Sequence, residues 1–329
     1  MSEVFRHVDA DQTIVFGAGA LDVADDLLGD GYTLVTTVRA AASAPGLAER
    51  AAAVVHVPAG LVEVVAADLR ADVPGRRLVA LGGGRVIDVA KALAAADGPR
   101  EVVAVPTSLS GAEMTGVHRH ARGVPDSTPR VRAGVVVNDP VLSASQPIDQ
   151  LAASSANALG HAVTALTSRG STAIAQAVAA EAVGEIAAGW SGDEPDRHRV
   201  ALGALLAGWA VDRSGLGPHH ALAQTAVRVA SLEHAQVNAA LLPFTVSAMR
   251  TRATARFERL DGALGRRVEA LAEDLRRRAR VTGLGRLGAD AALLDRTVAG
   301  AVERRELARV TPALGHDEVL AIYRAAASV

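Results

Sequence analysis

The stretch 78–95, LVALGGGRVIDVAKALAA, most narrows the folds open to this chain. An apolar run of Leu78, Val79, Ala80 and Leu81 feeds three glycines, Gly82, Gly83 and Gly84, and helical spacing follows at once. A strand that turns through glycine into a helix leaves backbone N–H groups free at the helix N-terminus, where the dipole favours negative charge. Glycine suits that turn because the backbone must come close to a phosphate or take positive φ. Asp88 and Lys91 follow three residues apart, on one helix face. Lys91 is the only lysine among 34 basic residues, which points to a specific role in a chain that otherwise uses arginine. The plain alternative is a βα turn of an α/β fold carrying a surface lysine.

The rest of the first 140 residues repeats this alternation. Strands are predicted at 13–16, 33–37, 53–56, 78–81, 101–105 and 134–138, and helices near 20–28, 60–71 and 86–95. Such alternation implies a largely parallel, doubly wound sheet with ligands at the carboxyl ends of its strands. Four of those ends carry glycine or hydroxyl residues: Gly17-Ala18-Gly19, Thr36-Thr37, Gly82–Gly84 and Pro106-Thr107-Ser108. From about residue 142 onward, long alanine- and leucine-rich segments of helical period take over. The expected division is an α/β domain over 1–145 and an all-α domain over 146–329.

Composition removes several function classes. The net charge of −2 gives no electrostatic case for nucleic acid or an anionic membrane. The one dense basic run, Arg276-Arg277-Arg278 with Arg280, lies among acidic neighbours and reads as a solvated helix face. With no cysteine, disulfides, thiolate metal sites and cysteine nucleophiles are excluded. Neither a signal pattern nor a run of about 18 apolar residues is found, so a cytoplasmic location is expected. Aromatics are only 2% of the chain, so Ala, Val and Leu must build the core.

The helical half carries the polar chemistry. Asn157 and His161 stand at i and i+4 in SSANALGHAVTAL, on one face of one helix. His219, His220 and His234 follow in GLGPHHALAQTAVRVASLEHAQVNAALLP. Imidazoles carry protons near neutral pH and ligate metals, and a lone helical histidine is more often a satisfied core or surface residue. Several placed in otherwise apolar segments suggest a shared site.

Together with FGAGAL and VHVP near the start, GGGRVIDVAKALA, VPTSLSGAEMT, NDPVL, SANALGHAVTAL, GLGPHHALAQ and EHAQVNAALLP resemble, in order, the iron-containing alcohol dehydrogenase superfamily. Within it, the chain looks like the maleylacetate reductase branch. The resemblance implies a Rossmann-like nucleotide-binding α/β domain, an all-α catalytic domain and an active site in the cleft between them, the fold shared with dehydroquinate synthase. It places NADPH or NADH across Gly82, Gly83 and Gly84, with Asp88 on the helix behind and phosphates near Thr107 and Ser108. Thr36, Thr37 and Arg39 follow the second strand of that domain; no acidic residue stands there for the ribose hydroxyls, so a 2′-phosphate is accommodated and NADPH is favoured slightly. The family's cation ligands (an Asp and three His, for Fe or Zn) fall on Asn157, His161, His220 and His234. The neutral Asn157 weighs against tight metal binding, since hard cations favour carboxylate oxygen.

The pattern is broken at several points. Arg85 follows the glycines where the family has Ser, and Thr164 stands where it has an acid. Gln224 replaces a second histidine four residues after His220, and glutamine cannot relay a proton near pH 7. The family's hairpin with a lysine near the cofactor falls on the arginine-rich segment 118–133, where Arg122, Arg130 or Arg132 stands in its place. The expected function is therefore NAD(P)H-dependent reduction of a small oxo or unsaturated carboxylate, with His161, His220, His234, Asn157 and Gln224 at the catalytic site and a homodimer as the assembly. The alternatives are a non-redox lyase, dehydratase or cyclase on the same scaffold, and a nucleotide-binding protein without turnover.

Overall fold

In the computed structural model, residues 4–232 and 234–328 are described, without the side chains of Ser145 and Arg286; Glu233 of the EHAQVNAALLP marker lies outside the described residues. The chain divides into two compact units, one ending at Gln146 and the other beginning at Pro147.

The first unit holds β1 (Phe5–Asp9), β2 (Gln12–Phe16), β3 (Thr33–Thr36), β4 (Ala53–His56), β5 (Arg77–Gly82), β6 (Glu101–Pro106) and β7 (Val135–Asn138). They form one sheet in the order β1-β2-β7-β6-β5-β3-β4. Every pairing is parallel except β1 with β2. Its helices are α1 (Asp25–Leu28), α2 (Val38–Ser43), α3 (Pro45–Glu49), α4 (Val62–Leu69) and α5 (Gly84–Ala96). The central strands are buried beyond their first residues, and Leu34, Val35, Leu78, Val79, Ala80 and Leu81 are inaccessible to solvent. Strands covered on both faces read as continuous apolar runs, which is how β5 was legible as LVAL. After β3 the chain moves outward to β4, and after β5 it moves the other way to β6, although β3 and β5 are neighbours. Their carboxyl ends therefore flank a topological switch point, where ligands of open α/β sheets settle.

Two expectations are corrected here, and one departure from the family pattern takes shape. Only 25–28 of the predicted helix 20–28 is helical, because Gly17 and Gly19 take φ of +137° and +85° and start a tight turn instead. That turn is held by Asp139, which accepts the Gly19 N–H at 3.0 Å and the Leu21 N–H at 3.5 Å. Thr37 leaves the strand to cap α2, its hydroxyl oxygen accepting the Ala40 N–H at 3.2 Å. No strand forms in 107–134, so the family's hairpin is not reproduced. That connection is tied instead around His118. Its Nε2 accepts the Val131 N–H at 2.9 Å, which leaves the proton on Nδ1 to reach the Arg119 carbonyl at 3.0 Å. Burial lowers the His118 pKa to about 4 and keeps this neutral tautomer in place.

Lys91 is not a surface residue. It is fully buried on α5, and its Nζ donates to the carbonyls of Ala112, Thr115 and Val117 at 2.8, 3.1 and 3.0 Å while pairing with Asp88 at 2.8 Å. A compact ammonium with three donors fits this cage of three carbonyls, and a planar guanidinium does not. Exchange of lysine for arginine is harmless on a solvated face and prohibited here, which accounts physically for the single lysine.

The second unit is helical: α6 (Ile148–Thr167), α7 (Ala173–Gly189), α8 (Arg197–Ser214), α9 (Pro218–Ala230), α10 (His234–Arg250), α11 (Thr254–Leu264), α12 (Val268–Arg278), α13 (Gly285–Ala289), α14 (Ala291–Val302) and α15 (His316–Ala327). From Leu151 to Thr167, α6 is buried on nearly every side. The Ser155 hydroxyl on α6 accepts the Trp190 indole N–H at 2.9 Å, and the Tyr323 hydroxyl donates to Leu222 O at 2.7 Å, fixing α9. No helix among the described residues is long and apolar enough to cross a membrane.

Candidate functional site

In the first unit the glycine turn closes β5 onto α5. Gly82 has φ +159°, and a Cβ there would lie 2.7 Å from Val86. A Cβ on Gly83 would lie 3.0 Å from the Ser108 hydroxyl, and one on Gly84 would lie 2.8 Å from Ser110 Cβ. The segment after β6 is thus packed against the turn, with Thr107 N–H bound to Gly82 O at 3.0 Å. No side chain caps α5, and its first paired amides are those of Val86 and Ile87, both to Gly83 O. The N–H groups of Gly84 and Arg85, at the very start of the helix, have no partner within it. Arg85 is exposed beside them.

Other residues expected at this site are differently employed. Thr36 is buried and its hydroxyl donates to Leu81 O at 2.9 Å, tying the ends of β3 and β5 together. Asp88 pairs with Lys91 on the second turn of α5. Arg39 is exposed one residue into α2. Arg130 donates from Nε to His118 O at 3.1 Å, and Arg122 is exposed. Sequence reasoning gave no place to Ser110, whose packing on Gly84 becomes visible only when the two segments meet.

In the second unit α6 presents Asn157 and His161 one turn apart, and α9 brings His220 to both. The His161 and His220 rings stack with centroids 4.2 Å apart and planes 9° from parallel. His220 Nε2 lies 3.3 Å from Asn157 Oδ1. His219 stands edge-on to His220 at 5.3 Å and rests on Gly160, where a Cβ would lie 2.5 Å from its ring. Thr245 spends its own proton on the carbonyls of Leu241 and Leu242, so it accepts the His219 Nδ1–H at 2.8 Å. Nothing in the sequence foretold that Thr245 would fix His219, because the pair is 26 residues apart. Burial is the main cause that lowers His161 to about 3, His219 to about 4 and His220 well below the ordinary imidazole value. All three are neutral at pH 7. His234, at the start of α10, is exposed.

Thr164, in place of an acid, packs against the start of α9, where a Cβ on Gly217 would lie 2.7 Å from its methyl group. Gln224 lies one turn beyond His220 on α9 and accepts from Arg304 Nη2 at 3.1 Å.

Residues 151–327, more than half the chain and all of the histidine cluster, match the model of the Fe-containing alcohol dehydrogenase family C-terminal domain. The chain belongs to the iron-containing alcohol dehydrogenase family. Maleylacetate reductase 1 of Rhodococcus opacus is 33% identical over 204 residues, 59% of this chain and 57% of that protein. This first match therefore spans less than two thirds of its relative. The maleylacetate reductase of Sphingobium indicum is 31% identical over 274 residues, 77% of each chain. The crystal structure of maleylacetate reductase from Rhizobium sp. strain MTP-10005 superposes with a TM-score of 0.81 at 25% identity, covering 99% of this chain and 98% of that one. The iron-containing alcohol dehydrogenase fold follows, with its α/β and all-α parts.

Proposed function

We propose that this iron-containing alcohol dehydrogenase relative is an NAD(P)H-dependent reductase of a small oxo or unsaturated carboxylate, with maleylacetate the first substrate to test. The observation that carries the reading is the Gly82–Gly84 turn at the switch point between β3 and β5, with α5 uncapped. Gly84 and Arg85 N–H groups would hold the dinucleotide phosphates, Ser108 would line them, and Arg39 would meet a 2′-phosphate. Bound there, the nicotinamide supplies the hydride.

The protein's own share of the chemistry falls to the helical unit. His161 and His220 are neutral and rigid, so they orient substrate oxygens rather than charge. Asn157 sets the His220 tautomer: with Oδ1 as the acceptor, Nε2 carries the proton. His234, exposed at the start of α10, would supply the proton.

The donor set disfavours a tightly held hard divalent cation. Asn157, His161, His220 and His234 include no anion at neutral pH. Nearly parallel rings 4.2 Å apart keep their in-plane lone pairs in separate planes, whereas tetrahedral ligation needs them to converge. A homodimer is supported by the outer edge of β1, where Phe5 and Val8 are exposed.

The test is absorbance at 340 nm with NADPH or NADH and maleylacetate. Oxidation of the cofactor in step with loss of the keto acid is expected. Conversion of a substrate with no net cofactor consumption would overturn the reductase reading in favour of a lyase.

A further inference from the structure

Gln224 occupies the position where the family carries a second histidine, and the structure shows what has taken over there. Its Oε1 accepts from Arg304 Nη2 at 3.1 Å. A guanidinium only donates, so the orientation of the amide is settled by chemistry: the oxygen faces Arg304 and the NH2 group is turned away from it. Arg304 is itself fixed by Glu306, which accepts from Nη2 at 2.8 Å and from Nε at 3.2 Å. That ion pair also lowers the Glu306 pKa. Among the described residues the Gln224 NH2 group donates to nothing. It belongs to the face of α9 that carries His220, four residues earlier.

We infer that the Gln224 amide, aimed by Arg304 and Glu306, is a fixed neutral donor for a carboxylate or carbonyl oxygen of the substrate, with Arg304 as its positioning residue. The inference rests on the carboxylate-reductase reading above. A histidine in this place would sit beside a permanent cation, which disfavours the imidazolium and so disables a proton carrier. An amide whose oxygen is already bound to a cation is polarised, and its N–H groups become stronger donors. The site therefore exchanges a titrating group for a pair of hydrogen bonds that do not change with pH.

The experiment uses the full chain with Gln224→Glu, Arg304→Leu and Arg304→Lys variants. It measures the KM and kcat for maleylacetate, the Kd for the unreactive dicarboxylate succinate, the Kd for NADPH, and the melting temperature. Gln224→Glu keeps an acceptor for Arg304, removes both donors and puts a negative charge before an anionic ligand. Its KM for the keto acid and Kd for succinate should rise at least roughly tenfold, with NADPH affinity and melting temperature unchanged. Arg304→Leu should raise both constants by roughly 3- to 10-fold by freeing the amide to rotate, and Arg304→Lys should recover most of that loss. A Gln224→Glu protein that stays within about twofold of the wild type in both constants would overturn the inference. Wild-type protein that binds succinate but oxidises neither NADPH nor NADH with maleylacetate refutes the reductase reading alone, and the variants' Kd values then decide this one. Wild-type protein that binds no dicarboxylate refutes the inference whatever its redox activity.

Discussion

Replacing Lys91 by methionine keeps the length and apolar body of the side chain and deletes only the ammonium. Three carbonyls, those of Ala112, Thr115 and Val117, and the Asp88 carboxylate then lose their shared donor. Removing one partner of a buried, hydrogen-bonded charge pair costs roughly 3–5 kcal/mol. The Asp88 side chain is 28% exposed, so water compensates part of its loss, and the lower end, about 3 kcal/mol, applies. For a unit of this size, each kcal/mol shifts the melting temperature by about 3 °C, so the first unit should melt about 10 °C lower. Calorimetry resolves the change, and a titration with NADPH should show weakened binding, because the cage ties α5 to the segment that packs on the glycine turn. Lys91→Arg should destabilise comparably despite keeping the charge. A Lys91→Met protein melting within about 2 °C of the wild type would show that the cage contributes no net stability.

Three further outcomes are expected. Gly84→Ala sets a methyl group 2.8 Å from Ser110 Cβ, so the turn or the Ser110 segment must shift; it should weaken NADPH about tenfold in a fluorescence titration and lower the melting temperature by a few degrees, and an unaltered Kd removes the turn from the nucleotide site. Arg39→Ala should raise the KM for NADPH and spare that for NADH; equal effects would leave the 2′-phosphate without a partner. The two units should answer pH oppositely. Burial raises Glu113 from 4.5 to about 7, so its contribution, present below pH 4.5, is lost as pH rises through 7, and Glu113→Gln should flatten that decline in melting temperature. His219 is lowered from 6.5 to about 4, so its contribution, present above pH 6.5, is lost as pH falls through 4, by roughly 3 kcal/mol on full protonation. His219→Gln should shallow the acid limb, and an unchanged limb would place the titration elsewhere.

Much of the first unit was legible because its strands are buried on both faces and end in glycine or hydroxyl residues. The strand β1 escaped notice because FRHVD is exposed along most of its length and carries no apolar signature. The helix predicted over 20–28 shortened because two glycines in positive φ and the Asp139 carboxylate, more than 100 residues away in sequence, favoured a turn. In the second unit, i, i+4 spacing sufficed to pair Asn157 with His161. Spacing cannot reveal partners from distant elements, and Arg304 lies 80 residues from Gln224. Lys91 marks the same limit from the other side: its rarity was visible, but its three acceptors are carbonyls, which no side-chain pattern records.

The burial of α6 also sets where this protein is open to change. His161 has neighbours on every side, with a parallel ring against one face and a glycine one residue before it to admit His219. Any new side chain there must be accommodated by several others at once. Gln224 and Arg304 keep a path to water, so a replacement at either can swing outward without rebuilding the helices. Under the donor role inferred for Gln224, new substrate preferences are thus reachable by single steps at 224 and 304, while the packed histidine stack stays fixed beside them.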